Sequence, residues 1–243
     1  MGAYGPHLYF AMKPKKKLKV KKIANLVIAI VTIFTLAVFV VTFAQNIIAR
    51  ASETYAYYFN DSRVVNKIYT AYSNNEMADA IANYFNSIGE EPFELLEYTG
   101  YDNESIFSPE DGENMLIVKK ALGKSAIACG VCLVLTLAAF IYLVKNNKKK
   151  LLRDMSRIGE LLALGLIALQ AKLALTLDGH LYMQERLGMP ILPENSQLAT
   201  ILTHDFVHMA GIAFIGIALV IWIAVVYFTH LATRQEKIFK KRQ

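Results

Sequence analysis

The sequence predicts an all-α integral membrane protein: four transmembrane helices, with a small, mostly helical extracytoplasmic domain between the first and the second. Two observations predict it. Apolar residues make up 55% of the 243 positions, and they come in blocks where a water-soluble domain would interleave them with polar ones. Four blocks, residues 23–43, 125–144, 158–177 and 206–228, approach the ~20 residues that cross ~30 Å of hydrocarbon. A backbone in lipid has to satisfy its own polar groups, so these blocks are helices. The second observation is the placement of charge. Seven lysines precede Ile23, six bases face one acid between 145 and 157, and five bases follow the last block. Residues 45–118 instead carry thirteen acids and three bases. The positive-inside rule then puts both termini and the middle loop in the cytoplasm, and the other two loops outside.

The chain divides accordingly into a basic cytoplasmic tail (1–22), a first transmembrane helix (23–44), an extracytoplasmic acidic loop domain (45–120) and a second transmembrane helix (121–144). A basic cytoplasmic loop (145–157), a third transmembrane helix (158–177), an extracytoplasmic loop (178–204), a fourth transmembrane helix (205–230) and a basic tail (231–243) follow. The net charge of +6 is spread over three separate segments. A nucleic-acid partner would need it on one surface, so none is expected. The basic tail 1–22 reads as an unfolded segment drawn to anionic headgroups. The first apolar run exceeds the 7–15 residues of a cleaved signal and reads as an uncleaved anchor. Cys129 and Cys132 sit inside the second span, where thiols are small packing residues rather than a redox pair.

Within the acidic loop, six aromatics between Tyr55 and Tyr72 suit the membrane interface. Ser73-Asn-Asn-Glu76 is a capping box, followed by Met77, Ile81, Tyr84, Phe85 and Ile88 at helical spacing, with Gly89 as the stop. A short hairpin is expected around Gly100–Asn103. Ser108-Pro109, with Glu110 and Asp111 behind it, starts a helix that runs unbroken into the second span, to about Lys145. Glu194-Asn195-Ser196 reads as a further helix start.

Chemistry concentrates between 176 and 211. Three of the five histidines (His180, His204, His208) lie there with Asp178, Tyr182, Glu185, Arg186 and Asp205, against the outer face of the membrane. Titratable groups at that depth are costly and mark function. Gln170 and Lys172 sit just before them, and a lysine there can snorkel to the headgroups. His204 and His208 have the four-residue spacing that puts two imidazoles on one helical face for zinc. The residue at the general-base position is Asp205, one methylene shorter than glutamate, and a third ligand would come from His180, Asp178 or Glu194.

A second reading comes from resemblance. Tyr72-Ser-Asn-Asn-Glu-Met-Ala-Asp-Ala-Ile-Ala-Asn-Tyr-Phe-Asn86 is similar to the short helix after the first span of the bacterial lipoprotein intramolecular transacylase (Lit) family. Gly112-Glu-Asn-Met-Leu-Ile-Val-Lys-Lys120 resembles the run leading into that family's second span. Asp178-Gly-His-Leu-Tyr-Met183, with 191–199 behind it, resembles its Phe-His-x-x-Phe element and the proline-containing turn before the last span. The layout corresponds over 23–228. Val118-Lys119 matches, whereas the family's first histidine falls at Asn114 and its aspartate at Ile117; its second histidine corresponds to His180.

The resemblance implies a membrane-embedded acyltransferase of the bacterial cytoplasmic membrane, acting on a diacylglyceryl-modified lipoprotein N-terminus among membrane lipids. An acyl chain would pass from the glyceryl ester to the α-amino group of the N-terminal cysteine, with no cofactor and no metal. His180 would be the base, and Asn114, Lys119 or Tyr182 would stabilise the oxyanion. The alternatives are a non-catalytic accessory or sensor protein whose acidic loop binds a partner, and a zinc-dependent hydrolase using His204 and His208. The charge asymmetry makes a direct prediction: a reporter fused after Glu97 is extracytoplasmic and one after Lys149 cytoplasmic. Protease-accessibility mapping checks it, and the reverse pattern overturns the topology.

Overall fold

A computed structural model describes residues 15–176, 190, 192 and 196–234, with side chains from Ile23 onward. It confirms a four-span helical protein. Four helices are long and apolar enough to cross a membrane: α1 (Lys15–Arg50), α4 (Pro109–Lys145), α5 (Lys149–Leu175) and α7 (His204–Thr233). Between α1 and α4 lie α2 (Ser52–Ser62), a 3₁₀ helix (Val64–Ile68), α3 (Asn74–Asn86) and the antiparallel pair β1 (Leu96–Tyr98) and β2 (Asn103–Ser105). The short helix α6 (Gln197–Ile201) precedes α7. Alternation of direction puts this loop domain and α6 at one end of the bundle, and the α4–α5 turn at the other.

The local chemistry explains each boundary. Ser73 and Glu76 form the reciprocal capping box at the start of α3, and backbone and hydroxyl donation from Ser73 holds the Glu76 carboxyl below its usual range. Ser108 and Asp111 form a second box at the start of α4, with Pro109 in the first turn. The hairpin turns through Gly100, whose φ of 92° favours glycine. Two expectations need correction. First, α3 stops at Asn86, short of Gly89, and Ile88 is fully exposed. Ser87 takes an extended backbone, and its hydroxyl donates to the Tyr84 carbonyl (2.8 Å), competing with the helical ladder. Second, the basic tail is helical from Lys15, so α1 begins ahead of its apolar run.

Helix α1 is the centre of the bundle. It packs along α4 and α5 and also touches α7, while α5 packs on α7. The crossings use small residues, as close approach in lipid requires. A Cβ on Gly159 of α5 would lie 3.1 Å from the Ile33 carbonyl oxygen, and one on Gly211 of α7 would lie 2.7 Å from Ala174 Cβ. The ends of α5 and α7 nearest the α4–α5 turn are tied by Arg153, whose guanidinium donates to the Thr233 carbonyl. Trp222 Nε1 donates to the Glu160 carbonyl at 2.9 Å.

The loop domain has its own core. Tyr55, Phe59, Val65, Met77, Ile81 and Phe85 are buried together, and Leu198 and Ile201 of α6 join them. Burial pushes the Tyr55 hydroxyl far above its usual range, partly offset by the Arg50 guanidinium. Glycine at 112 lets this domain dock on α4: an added Cβ would lie 2.7 Å from the Phe93 carbonyl oxygen. Gly123, two to three turns further along the same helix, has nothing within 4 Å. Gly123→Ala is expected to hold or raise stability, since alanine is the better helix former by about 1 kcal/mol. Gly112→Ala is expected to lose about 1–3 kcal/mol through overpacking, read as a lower midpoint of thermal unfolding in detergent.

Candidate functional site

The helices leave one face of α1 open. α4 and α7 flank it without extended contact between them. Near the loop-domain end the gap is a groove of about 390 Å³, lined by Gln45, Ile48 and Ala49 of α1, and by Val118, Ala121, Leu122 and Ser125 of α4. Gln170 and Ala174 of α5 and Val207, Ala210, Gly211 and Phe214 of α7 complete it. Apart from Gln45, Ser125 and Gln170, the lining is apolar. A second, almost wholly apolar cavity of about 470 Å³ opens lower in the same gap, between Leu36, Leu137, Phe140 and Phe228.

Asn114 is half-buried on α4, one turn ahead of Val118. Residues 114, 118, 121, 122 and 125 fall on one helical stripe, so Asn114 stands about 6 Å along the axis from the mouth of the groove. Lys119 does not share that stripe. Its ammonium donates to Ser87 Oγ at 2.8 Å and sits 4.2 Å from the centre of the Tyr84 ring, with the residue only 9% exposed. That places it at the floor of a different cavity, about 880 Å³, whose lining includes Glu90, Glu91, Glu94 and Glu113. Burial raises the Tyr84 hydroxyl above its usual range, and Glu113 adds to the effect. The structure therefore separates two of the residues the sequence grouped: Asn114 is on the groove side and Lys119 is not. His180 and Tyr182, like Asp178, Glu185, Arg186 and Glu194, lie outside the described residues.

His204, Asp205 and His208 are exposed on the first turns of α7, whereas Phe206 and Met209 pack on the loop-domain core and Ala210 lines the groove. Among the described residues no three metal-ligating side chains converge.

The contacts the sequence did not reveal are those that join the two loops. Ser196 caps α6 by accepting from the Ala199 amide (3.0 Å), and its hydroxyl also donates to Asp111. Asp111, 1% exposed, accepts from the Ser108 amide through its other oxygen. The Tyr58 hydroxyl bonds to the Thr203 hydroxyl, and Phe206 stacks on Tyr55 with centroids 5.4 Å apart. Deeper, Arg50 donates to Asn46 (3.1 Å) and to the Phe85 carbonyl, and Asn46 donates to Ser125 (3.2 Å). Each of these residues reads from sequence as an ordinary cap or interfacial polar group; only the tertiary pairing distinguishes them.

By sequence, neither a known protein family nor a curated protein matches the chain. By structure it resembles three forms of the membrane-integral lipoprotein intramolecular transacylase Lit from Bacillus cereus. A histidine-to-arginine variant matches with a TM-score of 0.69 over 90% of this chain and 96% of that one, at 16% identity. A histidine-to-alanine variant gives 0.69 over 89% and 96%, again at 16% identity. A third structure gives 0.68 over 86% and 95%, at 16% identity. The chain has the Lit fold. The correspondence covers most of both chains.

Asp111 should carry the second loop. Replacing it with alanine removes the third-position member of the Ser108 capping box and the partner of Ser196. Amide hydrogen exchange across 197–203 is expected to quicken at least several-fold in Asp111→Ala, while exchange in α3 stays as it is. Unchanged protection of 197–203 would show that the Tyr58–Thr203 and Phe206–Tyr55 contacts hold the loop by themselves.

Proposed function

We propose that this multi-pass membrane protein is an intramolecular lipoprotein transacylase, with both termini in the cytoplasm and the groove at the extracytoplasmic leaflet. One observation carries the reading: the structural correspondence with the Bacillus cereus transacylase over 90% of this chain and 96% of that one. The groove supports it, because a lateral opening between α4 and α7 admits a lipid-anchored substrate directly from the bilayer.

In the proposed reaction the α-amino nitrogen of the lipidated N-terminal cysteine attacks the carbonyl carbon of a glyceryl ester. A C–N bond forms and the C–O bond to glycerol breaks. The amine proton leaves to a base and is delivered to the glyceryl oxygen, so the base is regenerated. An imidazole titrating near neutrality suits both transfers, and we assign that role to His180. Asn114 cannot act as a base, because a carboxamide takes up no proton in this pH range. Its N–H groups are donors, so its proposed role is to stabilise the tetrahedral oxyanion. Lys119, bound to Ser87 and covered by Tyr84, is assigned to the loop-domain cavity rather than to the reacting atoms. An accessory or partner-binding protein remains the second reading, favoured by that 880 Å³ acid-rimmed cavity.

The test is mass spectrometry of a lipoprotein N-terminal peptide from cells lacking other N-acylating enzymes. With this protein expressed, the peptide is expected to carry one amide-linked chain and one fewer ester chain. His180→Ala is expected to lower the rate about 10²–10⁴-fold, and His230→Ala, near the cytoplasmic end of α7, to leave it unchanged. A free amine with both esters, at normal expression, overturns the reading. Activity that emerges only in Asn114→His would identify a transacylase scaffold without its chemistry.

A further inference from the structure

The groove contains two polar side chains that nothing in the protein uses. Gln45 of α1 and Gln170 of α5 both line it, and neither carboxamide makes a hydrogen bond among the described residues. Unpaired amides facing an apolar space cost several kcal/mol each in hydrocarbon. The neighbouring polar groups, by contrast, are satisfied: Asn46 bonds Ser125, Thr42 and Arg50. The two glutamines also sit at one level. Each lies five residues before the last residue of its helix, Arg50 for α1 and Leu175 for α5, which places both about 7–8 Å inside the helix ends. This is also where the apolar run of α1 ends, at Phe43, and where that of α4 begins, at Ser125. That boundary is the depth at which the ester carbonyls of a glycerolipid lie.

We propose that the carboxamide N–H groups of Gln45 and Gln170 bind the ester carbonyl oxygens of the diacylglyceryl group on a lipidated polypeptide as it enters from the bilayer, with its acyl chains in the groove. This docking level is that of Ser125, about 16 Å along α4 below Asn114, so it precedes the rise of the reacting ester to Asn114. The requirement matches on both sides: two unpaired donor groups face two carbonyl acceptors that have lost water. The volume of about 390 Å³ is within the ~300–1,000 Å³ of small-molecule sites, and the second cavity of about 470 Å³ continues the apolar path towards the other leaflet. A polypeptide-linked lipid, rather than bulk phospholipid, follows from the transacylase reading above, on which this inference rests. The glutamines are substrate-binding residues; they lie below Asn114 and exchange no proton.

The experiment is photolabelling of the purified full-length protein in lipid nanodiscs. The probe is a diacylglyceryl-cysteinyl peptide with a diazirine in one acyl chain. Its diether analogue, which lacks both carbonyls, and a phosphatidylglycerol with the same chain serve as comparisons. The diester peptide is expected to label groove residues such as Ile48, Leu122 and Phe214. Its half-saturation should rise about 2–10-fold in each of Gln45→Leu and Gln170→Leu, the loss of one neutral hydrogen bond apiece. The diether should bind the wild-type chain as weakly as the diester binds the double variant, and should not respond to either substitution. The comparison of diester with diether on the wild-type chain needs no variant to fold. Equal labelling by diester and diether, or an unchanged half-saturation in both variants, overturns the inference; so does equal labelling by the phosphatidylglycerol. Ester-dependent labelling without acyl transfer would sink the transacylase reading and leave this one standing, and transfer with ester-independent labelling would do the opposite.

Discussion

A single buried carboxylate joins the parts of this protein. Asp111 sits at the third position of a 37-residue helix, where the free backbone amides and the helix dipole favour negative charge. One oxygen accepts from the Ser108 amide and the other from the Ser196 hydroxyl. A carboxylate that is 1% exposed has to satisfy its lone pairs internally, because an unpaired buried charge costs far more than the bond contributes. Ser196 in turn caps α6, whose Leu198 and Ile201 complete the loop-domain core. One local helix-start motif thereby fixes the second loop onto the first. Tyr58, Thr203 and the Tyr55–Phe206 stack carry the same linkage on to α7.

The second constraint is the number of neighbours a central helix can satisfy. α1 packs on α4 and α5, and Gly159 allows the second of these to come within backbone distance of Ile33. With α5 also holding α7, the remaining side of α1 between α4 and α7 stays open. In water such an apolar gap would collapse. In a bilayer the lipid tails fill it at little cost, since helix association there has no hydrophobic driving force. An open seam is therefore compatible with stability, and its polar residues at one level are the donors assigned above to a lipid ester.

The sequence made the bundle legible because span length and lysine asymmetry are coarse, additive signals. The caps at Ser73 and Ser108, the hairpin near Gly100 and the run of α4 to Lys145 were also readable, since each depends on a few adjacent residues. What failed depended on distant partners. Nothing local to Ser87 shows that its hydroxyl, which bonds the Tyr84 carbonyl where α3 ends, will also receive Lys119. The same contact removes Lys119 from the groove, although residues 114 and 119 are only five apart in sequence. Five residues advance a helix by about 140° beyond a full turn, enough to put the two on different faces. That angle was available from the sequence; which face would meet the groove was not.

Under the proposed transacylase reading, the separation changes how the chemistry is divided. A lysine beside the reacting ester would compete with the substrate amine as a nucleophile and would add a positive charge next to an amine that must lose its proton. Held against Ser87 and the Tyr84 ring, the Lys119 ammonium is instead confined to a cavity rimmed by glutamates. The groove side is left with neutral donors, Asn114 one turn beyond its mouth and Gln45, Ser125 and Gln170 within it. Neutral carboxamides and hydroxyls can bind carbonyl oxygens and a developing oxyanion without protonating the attacking amine. For an acyl shift between two groups of one lipid anchor, this is the more suitable lining, because the nucleophile arrives with the substrate and needs only a base, a place for the chains and donors that do not compete with it.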